Sequence, residues 1–133
     1  MKNLEHIGIA TGNLETAIPL YEKLLNTHCY KQEEVASEGV RTAFFRAGEA
    51  KIELLEGFTE DSAITKFVAK KGNGLHHVAF EVEDIRKEME RLRQNGFQLL
   101  NNEPKAGADN KLVCFVHPRS SGGVLVELCQ EIR

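Results

Sequence analysis

Apolar residues alternate with small or polar ones over residues 6–10 and again over residues 77–82. This two-residue period is typical of a β-strand that buries one face. A helical pattern follows each strand, because Asn13 and Asp84 are candidate N-caps and apolar residues then recur three or four positions apart. Each half of the chain therefore begins with a predicted strand and a predicted helix.

Three further strand patterns complete each half. They lie near residues 29–35, 40–45 and 51–55 in the first half, and near residues 97–100, 111–117 and 124–129 in the second. The segment 57–74 between the halves carries a short helical pattern, with Asp61 or Ser62 as its cap and Gly72 as its end. The predicted order of elements is βαβββ, a helical connector, and βαβββ again.

The two halves also match residue by residue. His6 corresponds to His77 at an offset of 77 − 6 = 71, and Glu53 corresponds to Glu127 at 127 − 53 = 74. A repeat of this length predicts an α+β fold made of two βαβββ modules that form one curved mixed sheet. We expect a single domain, with repeats at about residues 1–57 and 74–133.

These four aligned residues are the candidate site. Both glutamates have apolar neighbours on either side, so the alternation points the neighbours towards the helices and the glutamates to the other face. His6 and His77 fall on that same face, which predicts that all four converge on the concave side of the sheet around a metal site. Two imidazoles and two carboxylates form a suitable ligand set for a divalent metal. The metal ligands we predict are therefore His6, Glu53, His77 and Glu127.

Composition and charge narrow the function classes. The chain has 133 residues, with 20 acidic and 17 basic side chains and a formal charge of −3. A mildly acidic protein has no general attraction for nucleic acid or anionic membranes. The sequence has no apolar run of about 20 residues and no secretory signal at its start, so we expect a cytoplasmic protein.

Several other polar residues have structural as well as functional interpretations. The three cysteines lack metal-site or disulfide spacing and are predicted to pack in the core. His76 should face away from His77, and His117 should organise a turn before Pro118. Five basic residues could meet anionic groups of a substrate, although isolated surface cations usually have no specific partner: Arg41, Arg46, Lys105, Lys111 and Arg119.

The repeat with its His and Glu ligands resembles the vicinal oxygen chelate (glyoxalase-type) superfamily over essentially the whole chain. Within it, several strings are similar to those of the methylmalonyl-CoA epimerase family. They are His6-Ile7-Gly8-Ile9-Ala10, Lys51-Ile52-Glu53-Leu54-Leu55-Glu56, Gly74-Leu75-His76-His77-Val78-Ala79-Phe80, Glu103-Pro104-Lys105, His117-Pro118, and Gly123-Val124-Leu125-Val126-Glu127-Leu128.

The resemblance implies a metal-dependent epimerase that interconverts (R)- and (S)-methylmalonyl-CoA through a metal-stabilised enolate. It implies one divalent ion, an acyl-CoA as the small-molecule partner, and a homodimer. Co, Mn, Zn and Ni all suit a site of nitrogen and oxygen ligands, so the metal is not specified. Glu127 is the first candidate catalytic base. Some epimerases have a glutamate where this chain has Thr42, so Glu53 is our candidate for the second base.

Three alternative functions remain at this point. Glu53 also resembles the fourth ligand of lactoylglutathione lyase, which acts on the hemithioacetal of methylglyoxal and glutathione. A ring-cleaving dioxygenase uses two histidines and one carboxylate for iron. A drug-binding resistance protein would dispense with the metal ligands, and the presence of His6, His77 and Glu127 argues against it.

Overall fold

The computed structural model describes residues 1–132, which contain eight strands and three helices. In chain order these are β1 (Asn3–Ala10), α1 (Leu14–Leu25), β2 (Lys31–Val35), β3 (Val40–Ala47), β4 (Ala50–Gly57), α2 (Ala63–Lys71), β5 (Gly74–Glu81), α3 (Ile85–Gln94), β6 (Lys105–Ala106), β7 (Lys111–Val116) and β8 (Val126–Glu131). The order βαβββ thus occurs twice, as predicted. None of these helices has the length and apolar character needed to span a membrane.

The chain forms two compact units. The N-terminal unit spans His6–His76, and the C-terminal unit joins Met1–Glu5 to the residues from His77 onwards. The boundary falls inside β1, and α2 belongs to the N-terminal unit. The arrangement as a single domain with repeats at about 1–57 and 74–133 stays a prediction.

The strands of the N-terminal unit pair in the order β2-β3-β4-β1. The pairs β2/β3 and β3/β4 are antiparallel, whereas β4 and β1 are parallel. Helix α1 begins where the Asn13 side chain accepts the Thr16 N–H at 3.4 Å. Its apolar side packs on one face of these strands, against Ala43, Phe45 and Leu54. The predicted orientation of the apolar positions in this unit is therefore confirmed.

The C-terminal unit repeats this arrangement with the order β5-β8-β7-β6. Strands β5 and β8 are parallel, and β8/β7 and β7/β6 are antiparallel. Asp84 caps α3 by accepting the Lys87 N–H at 3.1 Å. The buried face of α3 packs against β7 and β8 in a cluster that contains Ile85, Met89, Leu92, Cys114, Val116 and Leu128.

A second pair of equivalent side chains ties each helix to its own unit. Glu56 Oε1 accepts the Leu14 N–H at 2.6 Å, and Gln130 Oε1 accepts the Ile85 N–H at 2.7 Å. The offsets are 130 − 56 = 74 and 85 − 14 = 71, the same as those of the site residues. Each bond satisfies a helix N–H that lacks a partner within the helix. The last strand of each module thereby fixes where its helix begins.

The predicted connector helix is present as α2. Ser62, rather than Asp61, is its N-cap, and its hydroxyl accepts the Ile64 N–H at 3.2 Å. Gly72 ends the helix with φ at 79°, a value that favours glycine. Ile64 packs with Val40 and Leu55 in a small apolar cluster of the N-terminal unit.

The strand predicted at residues 97–100 is wrong. This segment forms an isolated bridge between Leu99 and Val116, and the edge strand of the unit is instead the two-residue β6. The cause lies at Asn101, whose side-chain oxygen accepts the Phe115 N–H at 2.9 Å. A side chain takes the place of the backbone acceptor there, so the ladder stops and resumes at Lys105. The last predicted strand is also displaced, since β8 covers Val126–Glu131 rather than residues 124–129.

The cysteines differ in exposure. Cys29 is half-buried, whereas Cys114 and Cys129 are fully enclosed, and all three are free thiols. Burial raises the pKa of the Cys114 thiol. Because the thiolate is the reactive form, an enclosed thiol with a raised pKa reacts slowly at neutral pH.

We therefore expect one fast-reacting thiol per folded chain. A chromogenic disulfide reagent at pH 7 should titrate Cys29 within minutes, and the other two thiols only after unfolding. The Cys29→Ser variant should lose the fast phase and keep the slow one. Rapid reaction of two or three thiols in the folded protein would contradict the packing role of Cys114 and Cys129.

Candidate metal centre

The N-terminal unit holds a buried histidine–glutamate pair. His6 lies on β1 and Glu53 on β4, and Nε2 of His6 is 3.1 Å from Oε1 of Glu53. The two residues are 6% and 4% exposed. Gly8 is the partner of Glu53 on β1, so the glycine leaves room beside the carboxylate on the face that it shares with His6.

The C-terminal unit holds the equivalent pair. His77 lies on β5 and Glu127 on β8, and Nε2 of His77 is 3.2 Å from Oε1 of Glu127. These residues are 5% and 6% exposed. Ala79, a second small residue, is the partner of Glu127 on β5. The sequence repeat therefore corresponds to a repeat of side-chain geometry.

Two phenylalanines, which the sequence did not mark as candidates, lie beside the glutamates of these pairs. Phe44 on β3 is the cross-strand partner of Glu53, and Phe115 on β7 is that of Glu127. The ring of Phe115 also meets His77 edge to face, with centroids 5.8 Å apart. The signal that could have revealed them is their offset, 115 − 44 = 71, which equals that of the histidines. Each carboxylate thus has a small residue on one side and an aromatic ring on the other.

The donor types fit a divalent metal ion. His6, His77 and Glu127 are all buried, and each offers one ligand atom of the kind that holds such an ion. Imidazole nitrogen and carboxylate oxygen suit zinc, nickel, cobalt and manganese. An isolated buried carboxylate carries a large desolvation cost, which an imidazolium or a cation beside it offsets. A positive charge beside Glu53 or Glu127 would therefore stabilise the unit that contains it.

The other predicted polar residues have structural roles. His76 stacks edge to face on Phe67, with centroids 4.9 Å apart. His117 Nδ1 accepts the Arg119 N–H at 3.0 Å and so begins the turn that follows β7, as expected. Thr42 is buried, and its hydroxyl donates to the Glu33 carbonyl at 3.3 Å.

The basic candidates separate by their partners. Arg41 meets Glu34 and Glu56 at 3.6 Å each, and Lys111 meets Glu131 at 3.5 Å. These two cations are committed to neighbouring carboxylates. Both arginines lie over aromatic rings, Arg41 at 5.1 Å from the Phe58 centroid and Arg46 at 4.4 Å from the Tyr30 centroid. Arg46 differs because no described carboxylate pairs with it.

Comparison with known proteins agrees with this architecture. The family model of the Glyoxalase/Bleomycin resistance protein/Dioxygenase superfamily matches residues 5–115. The chain belongs to this superfamily. The glyoxalase-type fold expected from the sequence is thereby confirmed, and the four site residues lie at equivalent positions of its two modules.

The relatives are similar over nearly the full chain. Protein YqjC of Bacillus subtilis is 42% identical over 98% of this chain and 93% of its own length. The ethylmalonyl-CoA/methylmalonyl-CoA epimerase of Cereibacter sphaeroides is 39% identical over 96% of each chain. A single-residue variant of the methylmalonyl-CoA epimerase of Streptomyces coelicolor, crystallised in complex with 2-nitronate-propionyl-CoA, is 32% identical with a TM-score of 0.95, covering 100% of this chain and 99% of the other.

The likeness to lactoylglutathione lyases is weaker. The enzyme of Escherichia coli O157:H7 is 23% identical over 96% of this chain. The resemblance to methylmalonyl-CoA epimerases is thus confirmed at a distinctly higher identity.

Proposed function

We propose that this protein is a metal-dependent epimerase that interconverts (R)- and (S)-methylmalonyl-CoA. The main support is the near full-length similarity to epimerases of acyl-CoA thioesters, with 39% identity to the Cereibacter enzyme. The buried histidine–glutamate pair in each unit supports it, since the residues this chemistry requires stand at equivalent positions. An acyl-CoA substrate is further supported by the ligand of the Streptomyces structure.

We further propose that His6, Glu53, His77 and Glu127 bind one divalent ion. The residue types and burial of all four support this ligand set. His6, His77 and Glu127 also form a group of potential ligands, whereas Glu53 is included because it pairs with His6. Such an ion, when bound, supplies Lewis-acid stabilisation of negative charge on substrate oxygens. The two glutamates together carry a charge of −2, which matches the ion and keeps the buried region close to neutral.

The chain's own residues would move the proton. The hydrogen between a thioester and a carboxylate is acidic, and epimerisation removes it from one face and returns it to the other. Glu127 is the base for one face, and Glu53 serves the opposite face. Each carboxylate has two oxygens, so one can hold a cation while the other takes a proton. Phe44 and Phe115 flank these carboxylates and limit the approach of water.

Lactoylglutathione lyase is the second candidate, and Glu53 is the observation that favours it. A carboxylate at this position, buried beside His6, would serve proton transfer on a hemithioacetal equally well. The lower identity to the lyases, 23%, places this candidate second.

Two incubations test the choice. Methylmalonyl-CoA in heavy water should gain deuterium at C2 and lose its stereochemical purity, as followed by mass spectrometry and by coupling to a stereospecific mutase. Methylglyoxal with glutathione should give no lactoylglutathione. A strong chelator should abolish the first reaction, and readdition of cobalt or manganese should restore it.

The opposite pattern would overturn the proposal. Formation of lactoylglutathione without deuterium exchange would assign the lyase activity. Full epimerisation after verified removal of metal would exclude a metal role and leave the epimerase assignment in place. A chain of the same fold that is inactive in both incubations, with or without added metal, would favour a binding protein.

A further inference from the structure

An exposed arginine in the N-terminal unit is held in an orientation that suits anion binding. Arg46 lies near the end of β3, and its guanidinium carbon is 4.4 Å from the centroid of the Tyr30 ring. The residues of the described part of the chain give Arg46 no hydrogen bond and no ion pair beyond this stacking contact. Tyr30 is itself 39% exposed, so the aromatic support is at the surface. The ring thus holds the guanidinium in place while leaving its N–H donors available.

The position of Arg46 connects it to the candidate site. Residues two apart on a strand share a face, so Arg46 lies on the face of Phe44, which is the partner of Glu53. In the register of β3 and β4, Arg46 is the direct partner of Lys51. Lys51 is in turn the partner of His6 on β1. Arg46, Lys51 and His6 therefore lie in one row across three neighbouring strands of the same unit, and His6 is a proposed metal ligand.

Lys51 places a second positive charge directly opposite Arg46. Two neighbouring cations attract an anion to this part of the sheet. Arginine on an aromatic ring is a good phosphate ligand, because its planar fork is already oriented and little entropy is lost on binding.

We propose that Tyr30, Arg46 and Lys51 form a subsite for a phosphate group of the acyl-CoA substrate. We call it the Arg46 subsite. This inference rests on the proposed function. The guanidinium binds the phosphate, Lys51 adds positive charge, and Tyr30 fixes the arginine. The contact is remote from the bond that changes, so it contributes equally to substrate and transition-state binding. Its loss should therefore appear in KM rather than in kcat.

A truncated substrate isolates this contact. Methylmalonyl-pantetheine has the thioester and the carboxylate of methylmalonyl-CoA but lacks the nucleotide phosphates. The Arg46→Ala variant should raise KM for methylmalonyl-CoA by about tenfold at low salt, as expected for one lost charge-assisted contact. It should leave kcat unchanged, and it should leave KM for the pantetheine thioester at the wild-type value. Rising ionic strength should reduce the difference between variant and wild type.

Two further variants test the arrangement. Tyr30→Leu removes the ring and should raise KM for methylmalonyl-CoA by about threefold, because the arginine loses its support. Arg41→Ala is the matched control, since Arg41 lies on the same strand but is already paired with Glu34 and Glu56. It should change neither KM by more than about twofold.

The outcomes separate this subsite from the proposed activity. An Arg46→Ala enzyme with wild-type KM for methylmalonyl-CoA would overturn the subsite while the epimerase assignment stands. An equal rise of KM with both substrates would also overturn it and would assign Arg46 to the substrate carboxylate. Calorimetric titration with free coenzyme A needs no turnover. If the wild type binds coenzyme A and Arg46→Ala binds it about tenfold more weakly, the subsite stands even in a protein without epimerase activity.

Discussion

Replacing Glu127 by glutamine is expected to lower kcat/KM for methylmalonyl-CoA by about a thousandfold, the usual range for loss of a general base. Glutamine keeps the size of the side chain and can still accept a hydrogen bond from His77, whose Nε2 lies 3.2 Å from Glu127 Oε1. It cannot take a proton, and it removes one of the negative charges that would hold a divalent ion. The variant should therefore lose activity and bind metal more weakly while remaining folded.

The measurement combines the rate of net epimerisation, read by chiral analysis of methylmalonyl-CoA, with metal analysis of the purified variant. Glu131→Gln is the matched control, because Glu131 lies on the same strand and face but is exposed and pairs with Lys111. It should retain activity within about twofold, as expected for a surface ion pair. A Glu127→Gln enzyme with more than about a tenth of wild-type activity at an unchanged thermal midpoint would remove Glu127 from the role of base.

Replacing Glu53 by glutamine is expected to separate proton exchange from inversion. If Glu127 and Glu53 serve opposite faces, the variant can still remove and return the proton on the face of Glu127. One enantiomer of methylmalonyl-CoA should then gain deuterium without changing configuration, while net epimerisation falls by about a hundredfold or more. Glu127→Gln should show the opposite preference between the enantiomers.

Chiral analysis of the recovered substrate measures net epimerisation, and mass spectrometry of the same incubation measures deuterium incorporation. Glu49→Gln is the control, since Glu49 is an exposed carboxylate in the turn between β3 and β4. Full epimerisation by Glu53→Gln would reduce Glu53 to a metal ligand and place the second base on another residue.

The modules could be predicted because their signals are local. A two-residue period marks a strand and a spacing of three or four residues marks a helix, whatever the rest of the chain does. Asn13, Ser62 and Asp84 act as caps in the structure because their side chains reach N–H groups only two or three residues away. The repeat at offsets of 71 and 74 then identified His6, Glu53, His77 and Glu127 before any contact was known.

The edge of the C-terminal unit shows where local signals end. Residues 97–100 have a strand pattern, yet Asn101 interrupts the ladder by accepting the Phe115 N–H with its side chain. Whether an asparagine side chain or a backbone carbonyl takes that hydrogen bond depends on how closely two distant segments approach. Periodicity carries no information on that choice.

The sequence by itself determined the kinds of residue in the candidate site, their repetition, and the strand face on which each one lies. Only the tertiary structure decided which of them touch: His6 and Glu53 are 47 positions apart yet approach to 3.1 Å. It also separated Arg41, which is paired, from Arg46, which is stacked on Tyr30. The physical reason is that strand register is a long-range property, set by core packing, whereas the face of each residue follows from the pleat alone.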